Sequence, residues 1–129
     1  MNIGEAGRAA GLPAKTIRYY EEIGLVPAPE RAASGYRHYD ASAVQTLRFV
    51  QRARQLGFSV EDCRGLVALW RDRRRSSAEV KALALARVAE IDQKLRELQS
   101  MRATISSLAE RCHGDDRPEC PILDDLAER

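Results

Sequence analysis

Two cysteines, Cys112 and Cys120, bracket the polar turn His113-Gly114-Asp115-Asp116-Arg117-Pro118-Glu119 near the end of a 129-residue chain. A loop containing Gly114 and Pro118 can fold so that two thiolates face each other, and a pair of soft sulfur ligands suits a d10 monovalent cation such as Cu(I). The same pair makes a poor zinc site, because structural zinc takes four N or S ligands. His113 is the one histidine near enough to act as a third ligand, but a loop imidazole is more often simply solvated. Two other chemistries stay open for the pair. The thiols can close a disulfide under oxidation, or they can serve as small apolar residues at the end of a helix. Cys63 lies within a helical apolar pattern and reads as a packing residue.

A second constellation lies at the other end of the chain. Lys15 and Arg18 are three residues apart on one helical face, with Tyr19 one position further round, so they can meet a major groove together. Tyr36 and Arg37 offer a phenol and a guanidinium to phosphates, which supply most of the affinity of such modules. The competing reading makes Lys15 and Arg18 mere solvating groups and assigns Tyr19 and Tyr20 to a core.

These residues need elements to hold them. Asn2 and Glu5 form a capping box ahead of the apolar face Ile3, Ala6, Ala9 and Ala10, which Gly11 ends. A second helix carries Lys15 to Glu22 and stops at Gly24, so two short helices with a Gly-containing turn make a helix-turn-helix candidate. From Val26 to Tyr39, Pro27 and Pro29 exclude helix and Ser34-Gly35 precedes alternating residues, which predicts a β-hairpin or wing. Asp40 caps a third helix in which the apolar positions Val44, Leu47, Val50, Ala53 and Leu56 recur at helical spacing, ending at Gly57. Ser59 with Asp62 caps a fourth, carrying Leu66, Val67, Leu69 and Trp70.

After the basic stretch Arg71 to Arg75, Ser76 or Ser77 caps the longest helix, which runs to about Arg111. Its positions Ala84, Val88, Ile91, Leu95, Leu98, Arg102, Ile105, Ala109 and Cys112 alternate steps of four and three, a heptad stripe with Arg102 out of character. At a rise of about 1.5 Å per residue the rod is roughly 50 Å long. No other segment is large enough to cover the stripe, so a symmetric homodimer is expected. Pro121 opens a last short helix with Ile122, Leu123 and Leu126. The division that follows is 1–58 for the head, 59–75 for a connector helix, 76–111 for the dimerisation helix, and 112–129 for the loop and terminal helix. The fold class is all-α with a small β-wing.

Charge supports that division. Residues 1–58 carry eight Lys/Arg against five Asp/Glu, and residues 101–129 four against seven, so the head leans basic and the tail acidic. Nothing at the start resembles a signal peptide and no apolar run approaches membrane-spanning length, so a cytoplasmic protein without membrane contact is expected. In that compartment cysteines are free thiols, metal ligands or redox sensors. No triad, phosphate loop or paired-carboxylate pocket is evident, which disfavours an enzyme.

The run Ile17-Arg18-Tyr19-Tyr20-Glu21-Glu22-Ile23-Gly24-Leu25, followed by Arg31, Ser34-Gly35-Tyr36-Arg37 and Tyr39-Asp40, resembles the amino-terminal signature of MerR-family regulators, and the similarity continues through Cys120. The resemblance implies a winged helix-turn-helix head, a connector and a long antiparallel coiled-coil dimerisation helix, with Lys15, Arg18, Tyr19, Tyr36 and Arg37 at the DNA-contacting positions. Pro13 replaces the usual Thr or Ser cap, a change tolerated at a helix start. Cys112-His113-Gly114-Asp115-Asp116 with Cys120-Pro121-Ile122 is similar to the metal loop of the copper-efflux branch. That similarity implies one Cu(I) per monomer, with Ag(I) or Au(I) as alternatives, and a serine near the ion, matched by Ser77. Zinc- and lead-type relatives place a cysteine there instead. Two thiolates and one monovalent ion sum to one negative charge, which the start of the long helix and Lys81 one turn in can offset. The implied function is a metal-activated regulator of copper-efflux or detoxification genes that distorts promoter DNA so that RNA polymerase can engage it. A thiol-redox-responsive or divalent-metal-responsive regulator of the same fold is the alternative.

Overall fold

The computed structural model describes residues 1–31 and 33–128; Ala32, within the expected wing, and Arg129, at the end of the expected terminal segment, lie outside the described residues. Among the described residues six helices follow in order: α1 (Ile3–Ala10), α2 (Ala14–Glu22), α3 (Ala41–Gln55), α4 (Val60–Arg71), α5 (Ser77–Arg111) and α6 (Pro121–Ala127). The all-α expectation with a helix-turn-helix head is met. The chain forms two compact units, Met1–Ala84 and Leu85–Arg129.

Local chemistry accounts for the helix starts. Asn2 Oδ1 accepts from the Glu5 amide at 2.8 Å while Glu5 Oε1 accepts from the Asn2 amide at 3.1 Å, the reciprocal box that satisfies two otherwise orphaned donors. Asp40 and Ser59 cap α3 and α4 with one bond each, accepting from the amides of Ala43 and Asp62 at 2.8 and 3.0 Å. Pro13 occupies the cap position of α2 and offers no side-chain bond. Of the two serines at the start of α5, it is Ser76 whose hydroxyl accepts from the Ala78 amide, at 3.1 Å.

The first unit packs α1, α2, α3 and α4 around Ala6, Ile17, Tyr20, Leu47, Val50 and Cys63. The turn between α1 and α2 is unusually close: Gly7 is buried, its carbonyl accepts from the Leu12 amide at 2.9 Å, and a Cβ on it would stand 2.5 Å from the Leu12 carbonyl oxygen. Gly11, with φ of 73°, takes the left-handed conformation that ends α1. Helix α3 closes the end of α1 from outside, since Arg48 Nε and Gln51 Nε2 donate to the carbonyls of Ala9 and Gly11. Helix α4 is anchored at two points. Arg64 donates to the Ile23 carbonyl at 3.0 Å, and Arg71 donates to the buried hydroxyl of Thr46 on α3. The rings of Phe49 and Trp70 stack between the two helices at 4.5 Å.

The wing is smaller than expected. Among the described residues its pairing is a single antiparallel bridge between Arg31 and Arg37, supported by the Arg31 guanidinium donating to the Gly35 carbonyl at 2.9 Å. Pro27 and Pro29 lack the amide hydrogens that would extend a ladder.

In the second unit, Val88, Ile91, Leu95, Leu98 and Ile105 of the heptad stripe are 39–62% exposed. Leu108, outside the stripe, is the buried side chain of α5. Among the described residues no helix is long and apolar enough to cross a membrane.

The close approach at Gly7 yields a pair of opposite outcomes. Gly7→Ala should lower stability by about 1–3 kcal/mol, because the clash with rigid backbone outweighs the gain in helix propensity. Gly65→Ala, in the middle of α4 with open space around its Cβ position, should raise stability by up to about 1 kcal/mol. Thermal and urea denaturation of the two variants check both signs.

Candidate functional site

Helix α2 divides its residues between two faces. Ile17 is fully buried and Tyr20 nearly so, which turns Lys15, Arg18 and Tyr19 outward, all exposed. The wing folds back beside them. Arg18, Tyr36 and Arg37 line one cleft of about 510 Å³ with Asn2, Ile3, Gly35 and Arg31. Lys15 and Tyr19 lie on the same helix outside the lining of that cleft. Three guanidiniums and a phenol around one cleft are suited to phosphate oxygens. Arg31 was not among the residues the sequence singled out for DNA. Its signal was register, because a turn at Ser34-Gly35 places residue 31 opposite residue 37.

Arg37 is not free in this arrangement. Its Nη1 donates to Glu21 Oε1 at 2.8 Å, and the Tyr39 hydroxyl donates to Glu21 Oε2 at 2.6 Å. The Glu21 side chain is 5% exposed and that of Arg37 36%. The pair joins the last turn of α2 to the wing. Burial, then the bond to the Glu21 carboxylate, pushes the Tyr39 phenol from 10.0 up to about 12.

At the other end of the chain, the sulfurs of Cys112 and Cys120 converge to 3.8 Å, and both residues are half-buried. Cys112 directly follows the last residue of α5, and Cys120 caps α6. The loop between them is turned by Gly114 in the left-handed region and closed by a clamp in which Arg117 donates to Asp115 through its backbone amide, Nε and Nη2, at 2.8–2.9 Å. That guanidinium holds the Asp115 carboxyl below its ordinary range. The Leu123 amide at the start of α6, followed by the Ile122 amide and the Cys112 thiol, holds the Cys120 thiol below its ordinary value against a smaller effect of burial.

The sulfurs are too far apart to be bonded, since a disulfide needs about 2.05 Å, yet near enough to share one ion. His113 is exposed, and among the described residues no group of three or more His, Cys, Asp or Glu side chains is arranged to hold a metal. Two soft sulfurs at this spacing could hold a soft monovalent ion, whereas a structural divalent site takes four ligands. Ser77 and Lys81, expected beside the ion, are exposed in the first two turns of α5. Cys63 is fully buried, and burial pushes its thiol up.

The family description "MerR HTH family regulatory protein" matches residues 1–69, and "MerR, DNA binding" matches residues 44–108. The chain is 56% identical to the HTH-type transcriptional regulator HmrR of Rhizobium leguminosarum bv. viciae, over 99% of this chain and 98% of that protein. It is 54% identical to heavy metal-dependent transcription regulator 2 of Rhizobium meliloti, over 98% of this chain and 86% of the other. Among solved structures, the transcription regulator PbrR691 from Ralstonia metallidurans CH34, in complex with lead(II), superposes with a TM-score of 0.84 at 34% identity, covering 98% of this chain and 99% of its own.

Two measurements probe the site directly. Under native, reducing-agent-free anaerobic conditions a thiol reagent should titrate Cys112 and Cys120 quickly and Cys63 only after denaturation. Rapid reaction of all three would contradict the burial of Cys63. The Tyr39 phenol provides the pH dependence: with its folded pKa raised, it stabilises the fold below about pH 10, and that contribution is lost as pH rises toward about 12. Alkaline denaturation should therefore begin later for Tyr39→Phe relative to its own stability at neutral pH.

Proposed function

This chain belongs to the MerR family of helix-turn-helix DNA-binding regulators, and on that premise we infer that it is a metal-responsive transcriptional regulator in which Cys112 and Cys120 hold one soft monovalent ion. Members of the family are DNA-binding regulators, not enzymes. The observation that carries the metal reading is the convergence of two half-buried sulfurs to 3.8 Å with no third donor group beside them among the described residues. The names of relatives support metal as the signal: one is called heavy metal-dependent, and another binds lead(II) in its crystal structure.

Cu(I) is the favoured ion, with Ag(I) and Au(I) as chemical alternatives. Two thiolates carry two negative charges, and a monovalent ion leaves one uncompensated. Within one protomer the 35-residue helix α5 separates Ser77 from Cys112, so a field from Ser77, Lys81 and the start of α5 must come from a second copy. The exposed heptad stripe of α5 supports such a dimer. Lead(II) binding by PbrR691 is not carried over, because the resemblance implies a cysteine at this position in lead-type relatives and residue 77 here is serine. In this reading Lys15, Arg18, Tyr19, Tyr36 and Arg37 contact promoter DNA. Metal binding orders the loop and α6 and biases the angle between the two heads. The resulting distortion of the promoter lets RNA polymerase engage it and switches on metal-efflux or detoxification genes in the cytoplasm.

The same sulfur distance favours a second reading, a disulfide switch between Cys112 and Cys120. One experiment separates the readings. Anaerobic titration of reduced protein with Cu(I) against a competing chelator should show one tight ion per monomer. Tight binding should be lost in Cys112→Ser and in Cys120→Ser, and a parallel Zn(II) titration should not match it. Lys81→Met should weaken Cu(I) by about 10–100-fold, as loss of a group supporting the ligands does. Weak Cu(I) binding, or tighter Zn(II), would remove the monovalent assignment and leave redox or a divalent ion as the signal.

A further inference from the structure

We propose that Glu21 is a positioning residue for DNA phosphate: its buried carboxylate holds the Arg37 guanidinium over the cleft that Arg37 shares with Arg18 and Arg31. The proposal rests on the DNA-binding reading given above.

A carboxylate is out of place on a face that meets phosphates. By charge alone, Glu21 repels the ligand and cancels one of three arginines, so its removal should tighten binding. Its surroundings argue for the opposite sign. Both carboxylate oxygens are occupied from the wing, Oε1 by Arg37 Nη1 at 2.8 Å and Oε2 by the Tyr39 hydroxyl at 2.6 Å. With 5% of the side chain exposed, the charge is turned inward and largely shielded from an incoming phosphate.

Arg37, in contrast, keeps a third of its side chain exposed and lines the cleft of about 510 Å³ with Arg18, Arg31 and Tyr36. A guanidinium has five N–H donors in a rigid fork. With Nη1 engaged by Glu21, the other nitrogens remain able to donate toward the cleft. An arginine free in solvent would have to be immobilised when DNA binds, and that ordering weakens association. Glu21 imposes the order beforehand. Because it sits in the last turn of α2, it also locks the wing to the helix that carries Lys15, Arg18 and Tyr19. The three arginine-bearing segments therefore meet the duplex in one fixed arrangement, with no ordering step at contact.

The test uses the full-length protein and a fluorescein-labelled, mixed-sequence DNA duplex, with affinity measured by anisotropy over a range of salt concentrations. Glu21→Gln keeps the side-chain shape and removes the charge. It should weaken binding by about tenfold. It should also lower the slope of log affinity against log salt by about one, because one phosphate contact is lost. In an Arg37→Met background the same substitution should change neither quantity, since Glu21 acts through Arg37. Binding by Glu21→Gln as tight as the wild type or tighter would overturn the proposal, as would weakening that persists without Arg37. If Glu21→Gln melts below the assay temperature, Tyr39→Phe takes its place. It leaves both charges, frees one carboxylate oxygen and should weaken binding in the same direction to a smaller extent, and unchanged affinity overturns the proposal. Failure of the wild type to bind the duplex at low salt would instead overturn the DNA-binding reading, and this inference with it.

Discussion

The approach of α1 to the turn that follows it, made possible by the missing side chain at Gly7, is the constraint on which the head depends. The Leu12 amide bonds to the Gly7 carbonyl, and the space a Cβ would occupy is already filled by the Leu12 carbonyl oxygen. With the turn held this tightly, α2 starts at Ala14 in a fixed rotation. Ile17 then fills the centre of the core and Tyr20 its edge. The side chains between and before them, Lys15, Arg18 and Tyr19, have nowhere to go but outward. A presented basic face is thus the geometric complement of a buried apolar one.

The same economy governs the wing. A single bridge between Arg31 and Arg37 would be a marginal element on its own. It is steadied from α2 by Glu21, whose carboxylate receives both Arg37 and Tyr39. Breaking such a network by removing one partner leaves a buried charge without compensation, which costs more than the pair contributes. Helix and wing therefore form one surface, with the polar groups that face water on one side and their fastening beneath.

The cysteine loop is organised differently. Its closure comes from short-range polar contacts, the Asp115–Arg117 clamp and the left-handed Gly114, with little apolar burial. Such a loop holds two sulfurs near each other without bonding them, and the amides at the start of α6 favour the thiolate at Cys120. A ligand that bridges the sulfurs can therefore tighten the loop and α6 without breaking a packed core. The heptad stripe on α5 is left exposed beside this light construction.

Much of this protein was written locally. Asn2 and Glu5, Asp40, and Ser59 announced helix starts because each cap bonds an amide three residues away, within reach of any sequence reading. The glycines ending helices, the heptad of α5 and the two cysteines around a polar turn were legible for the same reason. Ser76 rather than Ser77 as the cap was not, because both serines satisfy the rule and only backbone geometry chooses. Glu21 was the larger omission. In the run Tyr19-Tyr20-Glu21-Glu22 it reads as a solvated residue on a helix face, and its partners lie 16 and 18 residues further along the chain. By itself the sequence determined the helices, their faces and the thiol pair, since these follow from interactions spanning a few residues. Only the tertiary structure decided that the wing returns over α2, that Arg31 joins Arg18 and Arg37 around one cleft, and that the thiols stop at 3.8 Å. Those outcomes depend on the path of the intervening chain, which no local pattern encodes.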